Sequence, residues 1–348
     1  AARPAGFLFQ ITTQSKGPPS GVFKKELLRA RDVRDGKIKL PMLPILYELP
    51  TELSKDGGWK NRKNWGYVNP NMGYSVGFDF LEREVITADG DLEQEILLAS
   101  QHFNVEIGLS LRDDRWAGAD YWLDAQDDDL SLDELIERSE VVVAGVDGGG
   151  LDDLFGLSVM GRDKNTREWL SWSRVWCHSG VLVRRKSLTG ELRDFEKSGD
   201  LTIYDHLGDD IDEIVATICK LDASGKLAEK DAIGMDPIGV GSVVDALAAA
   251  GIGDDRIVAV SQGYKLQGAI KTVERKLADG TLIHPAQPIM DWCVGNAKIE
   301  MRGNAAMITK QASGTGKIDP LMALFCAATV MGANPVAAAK KSPRVYVF

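Results

Sequence analysis

Sulfur and histidine are scarce in this chain: four cysteines and four histidines in 348 residues. Cys177, Cys219, Cys293 and Cys326 are scattered and form no C-x-x-C pair. That excludes a zinc knuckle and a disulfide framework, and reads as reduced thiols in a cytosolic protein. No HExxH or H-x-E pattern occurs, which removes the zinc hydrolases. No apolar run reaches the ~18–20 residues that a membrane span needs, so no membrane partner is expected. Positive charge is also short. Lys and Arg number 41 against 51 Asp and Glu, a net charge of −10, which excludes a protein that coats nucleic acid through a broad basic face. An enzyme that acts on nucleic acid at a local site remains compatible, because part of the negative charge lies in the run from Asp124 to Glu140. A P-loop is missing too. Gly314-Thr315-Gly316-Lys317 imitates one, but Gln311 stands where glycine is required and Ile318 where Ser or Thr is required.

What is present describes a globular α/β protein, long enough for two domains, with 44% hydrophobic and 26% charged residues. The first part reads as a strand over Gly6–Ile11, the turn-rich Lys16–Gly21, a helix over Phe23–Ala30, an extended proline-bearing stretch Ile38–Leu49, and helical spacing that runs on to Phe103. Trp116–Ala125 and the acidic residues after it read as a connector, and Ser131-Leu132-Asp133-Glu134 as a capping box that starts a short helix. From Val141 the pattern changes. Val141–Val146, Phe155–Met160 and Trp169–Trp176 read as three consecutive antiparallel strands. Alternating helices and strands follow: helix Ile211–Leu221, strand Ala232–Asp236, helix Ser242–Ala250, strand Ile257–Val260, helix Gly268–Leu277, a short run at Leu282, a helix over Ile289–Met301, strand Ala306–Thr309 and a last helix. The sum is a mixed sheet flanked by helices.

Three aspartates stand where core elements meet the surface. Asp147 ends the run Val141–Val146, Asp236 ends Ala232–Met235, and Asp319 opens the apolar stretch Leu321–Met331. Taken singly, each has an ordinary account: a turn after a strand for Asp147, an Asp-Pro turn for Asp236, and an N-cap before proline for Asp319. Taken together, three carboxylates at one end of a sheet make a hard oxygen site suited to Mg²⁺ or Mn²⁺ and to phosphodiester chemistry. Asp152 and Asp153 lie in the loop after Asp147, and Gly148-Gly149-Gly150 lets the backbone approach a ligand closely. Lys310 and Lys317 flank the glycine-bearing loop 311–316 directly before Asp319, where two ammonium groups could meet a phosphate backbone.

In order and in neighbours these residues resemble the large terminase subunit of tailed bacteriophages. The resemblance rests on Gly145-Val146-Asp147 with Asp152-Asp153-Leu154, on Gly234-Met235-Asp236-Pro237, on Trp292–Ala297, and on Gly316-Lys317-Ile318-Asp319 before an apolar helix. It implies an RNase H-like mixed sheet over 141–335, a tail over 336–348, and a linker over 116–140. Residues 1–115 would be the end of a P-loop-type packaging ATPase, since Ile11-Thr12-Thr13-Gln14-Ser15, Trp65–Phe80 and Ser100–Asn104 are similar to its closing motifs. The resemblance further implies a two-metal DNA endonuclease in which Asp147 bridges two Mg²⁺ or Mn²⁺ ions. Asp236 and Asp319 would each complete one site, Asp153 would be an accessory acid, and Lys310 or Lys317 would meet the scissile phosphate. Double-stranded DNA, the portal protein and the small terminase subunit would be partners, in the host cytoplasm, and ATP would serve only the intact full-length motor. Two other readings stay open: an RNase H-like transposase or recombinase, which usually ends its acid set with Glu where this chain has Asp319, and a non-catalytic assembly module.

Overall fold

In the computed structural model, residues 6–15, 21–50, 53, 57–107, 116–237, 240–302, 305–310 and 317–338 are described, and they fall into two units, Ala1–Asp113 and Asp114–Phe348. In the first unit, helices Gly21–Arg34, Phe78–Ala88 and Leu92–Phe103 accompany the 3₁₀ turns Gly58–Lys60 and Arg62–Tyr67. Trp59, Trp65, Leu81 and Phe103 form its centre, with the Trp65 indole donating to the Trp59 carbonyl at 2.9 Å. Asp91 accepts from the Gln94 amide and starts the helix that ends at Phe103. The expected strand over Gly6–Ile11 is not formed. A strand exists only as half of a ladder; no described segment pairs with this one, and Phe7, Leu8, Phe9 and Ile11 are exposed. Thr12–Ser15 is held instead by side chains, the Gln101 amide donating to the Gln14 carbonyl at 2.8 Å.

The second unit is built on a mixed sheet. Strands β1 (Ser139–Gly148), β2 (Leu154–Asp163) and β3 (Trp169–His178) form the expected antiparallel meander. β4 (Leu201–Tyr204) runs parallel to β3, β5 (Ile233–Met235) parallel to β1, and β6 (Ile257–Ala259) parallel to β5. The order is β4-β3-β2-β1-β5-β6, with the short β7 (Leu282–Ile283) also paired to β3. This is the mixed sheet read from the sequence, in the RNase H-like form that the resemblance implied. β1 and β2 are buried along almost their whole length, which is why they read as continuous apolar runs and not as alternating ones.

One helix, Asp319–Gly332, lies against β1, β2 and β5 and is buried on nearly every side. Its residues are apolar all round, as a helix enclosed by other elements must be. Three expectations change in detail. The helix expected over Ile289–Met301 stops at Asn296, and a hairpin follows, β8 (Ala297–Arg302) with β9 (Ala305–Lys310). Helix Thr189–Ser198 and β4 were not foreseen. Residues 116–125, expected as a connector, supply core to this unit. Trp116 meets Phe325 edge-on at 5.2 Å, and Trp122 stacks on His284 at 3.8 Å. Ser131 caps helix Leu132–Arg138 as foreseen, accepting from the Glu134 amide at 3.2 Å.

Candidate active site

Glycines decide where the long helix sits. Gly145 of β1 and Gly234 of β5 are paired in register. A Cβ on Gly145 would stand 2.0 Å from the Ala323 carbonyl oxygen, and one on Gly234 would stand 2.9 Å from that of Cys326. A Cβ on Gly156 of β2 would meet the Pro320 Cα at 2.6 Å. The helix backbone therefore rests on the sheet at three positions where any larger residue would hold it off. Asp147 and Asp236 come two residues after the paired glycines, directly beyond the ladder pair Val146↔Met235. Strand side chains alternate, so both carboxylates leave the sheet on the face that carries the helix.

The helix starts at that same end. Gly156 pairs with Asp147, and Pro320 lies over Gly156. The Asp319 Cβ is 3.1 Å from where a Gly148 Cβ would be. Asp147 and Asp319 are buried and Asp236 half-buried. Burial pushes the Cys326 thiol pKa up, and the negative charges of Asp147 and Asp236 raise it further, so both carboxylates act on one sulfur of this helix. Asp319 is the first helical residue and the cap position falls on Ile318, so the N-cap role expected of this aspartate is not the one it takes. Gly148, Gly149 and Gly150 have φ of 93°, 100° and 107°, a run of left-handed backbone that accounts for three consecutive glycines.

Gln262 was missed from sequence. It follows the short β6, and its amide donates to Asp147 Oδ1; a glutamine in a loop carries no motif that would have singled it out. Lys317 is almost wholly buried, 3% exposed. Its ammonium donates to the Asp152 carbonyl at 3.1 Å and to Asp153 Oδ1 at 2.5 Å. Arg185 pairs with the other loop acid, Asp152, at 3.3 Å. Lys310 is the last residue of β9, opposite Ala297, and the loop 311–316 between the two lysines lies outside the described residues.

The donor set is carboxylate oxygen alone, the kind that suits Mg²⁺ or Mn²⁺ and not zinc. Among the described residues no group of three His, Cys, Asp or Glu side chains forms a metal-holding cluster. The three aspartates thus share one end of the sheet without closing into a cage.

The sequence model of the terminase large subunit endonuclease domain matches residues 47–334. This chain belongs to that family. Several solved structures are similar in fold. The HK97 bacteriophage large terminase is 18% identical, with a TM-score of 0.48 over 89% of this chain and 61% of its own. The large terminase nuclease of thermophilic phage G20c with bound magnesium is 16% identical, with a TM-score of 0.36 over 54% and 80%. The g2p nuclease domain of bacteriophage SPP1 with bound Mn is 14% identical, with a TM-score of 0.34 over 58% and 92%. The chain spans 61% of the length of the HK97 protein. No curated protein matches it.

Proposed function

We propose that this terminase chain is a divalent-metal-dependent endonuclease that cuts concatemeric genome DNA during packaging, with Asp147, Asp236 and Asp319 as metal-holding residues. The observation that carries the reading is the register Gly145↔Gly234. It sets Asp147 and Asp236 side by side at the end of the sheet where the helix beginning with Asp319 is seated. Bound there, Mg²⁺ or Mn²⁺ would supply Lewis acidity for phosphodiester hydrolysis.

The chain's own residues do the rest. Gln262 orients the Asp147 carboxylate through Oδ1. The left-handed glycine loop 148–150 is open at Gly150, where a Cβ would meet nothing within 4 Å, so a nucleic-acid backbone can approach there. Despite the net charge of −10, Arg184 and Lys186 are exposed beyond β3. They follow Gly180, whose Cβ would lie 3.6 Å from the Leu151 carbonyl oxygen of the β1–β2 loop. Local cations beside the carboxylates are what a phosphate backbone requires. By the same proposal the portal and the small terminase subunit are partners, and ATP hydrolysis belongs to the intact full-length motor.

The test is plasmid cleavage with Mn²⁺ or Mg²⁺, together with calorimetric Mn²⁺ binding. Asp147→Asn and Asp319→Asn should each lower cutting by about a hundredfold or more and weaken Mn²⁺ binding. Undiminished cutting by both variants would sink the proposal. A second reading, a non-catalytic assembly module, is favoured by one contact: the Gln262 amide already engages one carboxylate oxygen of Asp147. A wild-type chain that binds portal but no Mn²⁺ would select it.

A further inference from the structure

We infer that the buried Lys317 and the half-buried Asp153 form a strut that positions Asp319, so that Lys317 acts on cleavage through the carboxylate site and does not touch DNA; the inference rests on the nuclease reading above. It reassigns two residues whose sequence context suggested a phosphate contact and an accessory metal ligand. The lysine side chain is 4% exposed, and both of its hydrogen bonds run to the β1–β2 loop, one to the Asp152 carbonyl and one to Asp153 Oδ1. An ammonium so enclosed and so engaged has no free face for a phosphate. Burying a cation is costly unless it is paired and hydrogen-bonded, and here the loop supplies both.

The strut joins the two segments that carry the site. On one side, Lys317 precedes Ile318 and Asp319, and the Lys317 carbonyl accepts from the Asn296 amide at 3.3 Å. The lysine backbone is thereby tied to the end of helix Pro288–Asn296. On the other side, Asp153 Oδ1 also accepts from the Leu154 amide at 3.0 Å. The Leu154 carbonyl accepts from the Gly149 amide at 2.9 Å, and its oxygen lies 2.2 Å from where a Gly148 Cβ would stand. A pull on Lys317 is therefore transmitted in two short steps to the backbone just after Asp147, and in two residues to Asp319. Sequence-distant carboxylates need such a connection, because a site loose by about 1 Å can lose about a hundredfold in rate.

The experiment uses the full chain with Lys317→Met, Asp153→Asn and the double variant, each checked for folding by circular dichroism and urea unfolding. DNA affinity is read by fluorescence anisotropy against KCl without divalent ions, and cleavage is read with Mn²⁺. The strut requires that Lys317→Met leave the slope of log affinity against log salt unchanged. It also requires kcat to fall about 10- to 100-fold at constant KM, and the double variant to be no worse than the poorer single one. A slope reduced by about one, the signature of one phosphate no longer neutralised, overturns it. So do kcat losses that multiply in the double variant. If Lys317→Met does not fold, Asp153→Asn alone carries the kcat and KM test, and Mn²⁺ stoichiometry reduced by one site would mark Asp153 as a ligand and overturn the strut. A wild-type chain that cuts nothing defeats the nuclease reading instead, and the pairing is then decided by whether the two substitutions couple in urea unfolding.

Discussion

The paired glycines beneath the long helix permit a sharp test, Gly145→Ala. The added methyl would sit 2.0 Å from the Ala323 carbonyl oxygen and 2.4 Å from the Ala327 nitrogen, whereas ordinary contact begins near 3.4 Å. The obstruction is helix backbone, so no side chain can rotate away, and the helix must rise from β1 by about 1.4 Å, the difference between 3.4 and 2.0 Å. Overpacking of this kind costs about 1–3 kcal/mol. The same displacement moves Asp319 away from Gly148 and Asp147, and a misplacement of about 1 Å can cost about a hundredfold in rate. Urea unfolding and Mn²⁺-dependent plasmid cleavage are measured on the same preparations. The expected result is a modest loss of stability and a far larger loss of cutting while the protein is still folded. Gly268→Ala is the control: it lies in helix Gln267–Ala278, and its Cβ would meet nothing within 4 Å. It should be neutral or stabilise by about 0.4–1 kcal/mol. A Gly145→Ala protein with wild-type cutting would refute the idea that the helix seat sets the spacing of the carboxylates.

Two other expectations concern charge. Burial lowers the pKa of His284, while hydrogen bonding to the Pro285 and Trp122 carbonyls and the nearby Asp291 oppose that shift. The folded value therefore lies below the unfolded ~6.5, so the unfolded chain takes up a proton that the folded chain refuses. This contribution to stability is complete above pH ~6.5 and is lost as pH falls from there through the folded value. The urea midpoint should drop between pH 7.5 and 5.5, and by less in His284→Gln; equal drops would show that this imidazole is not responsible. In the second, neutralising the exposed Arg184 and Lys186 together should reduce the salt slope of DNA binding by up to about two, near 0.9 for each phosphate that a cation no longer neutralises. An unchanged slope would mean that DNA does not pass this face.

Legibility from sequence followed the physics of each element. The meander β1–β2–β3 was readable because strands buried on both faces leave long apolar runs bounded by turn residues. The strand over Gly6–Ile11 showed the converse: its composition suits a strand, but pairing is supplied by other segments and no local pattern reports it. The hairpin β8–β9 was half seen for a similar reason. Ala297–Arg302 continues directly from a helix that ends at Asn296, and Ala297-Lys298-Ile299 has helical as well as strand spacing. Trp116 and Trp122 stand among acidic and polar residues that read as a connector, and only the distant Phe325 and His284 make them core.

The carboxylates were legible for a different reason than their partners. An aspartate at the end of an apolar run interrupts a hydrophobic pattern, and that interruption can be seen in one dimension. Gln262 carries no such signal, and Lys317, though visible beside Asp319, takes its meaning from what the fold brings to it. The glycines are intermediate. Gly145 and Gly234 each lie two residues before an aspartate, a coincidence visible in the sequence, yet its cause is visible only in the register that pairs them. A strand that must accept a helix backbone at one residue and present a carboxylate on the same face two residues later has little choice at either position. Substitutions at the glycines should therefore damage the site almost as surely as substitutions at the acids. The signature of the seat should be a site that is mispositioned while its charge is intact. Gly145→Ala should then keep Mn²⁺-binding carboxylates that no longer cut efficiently, whereas Asp147→Asn should lose binding and cutting together.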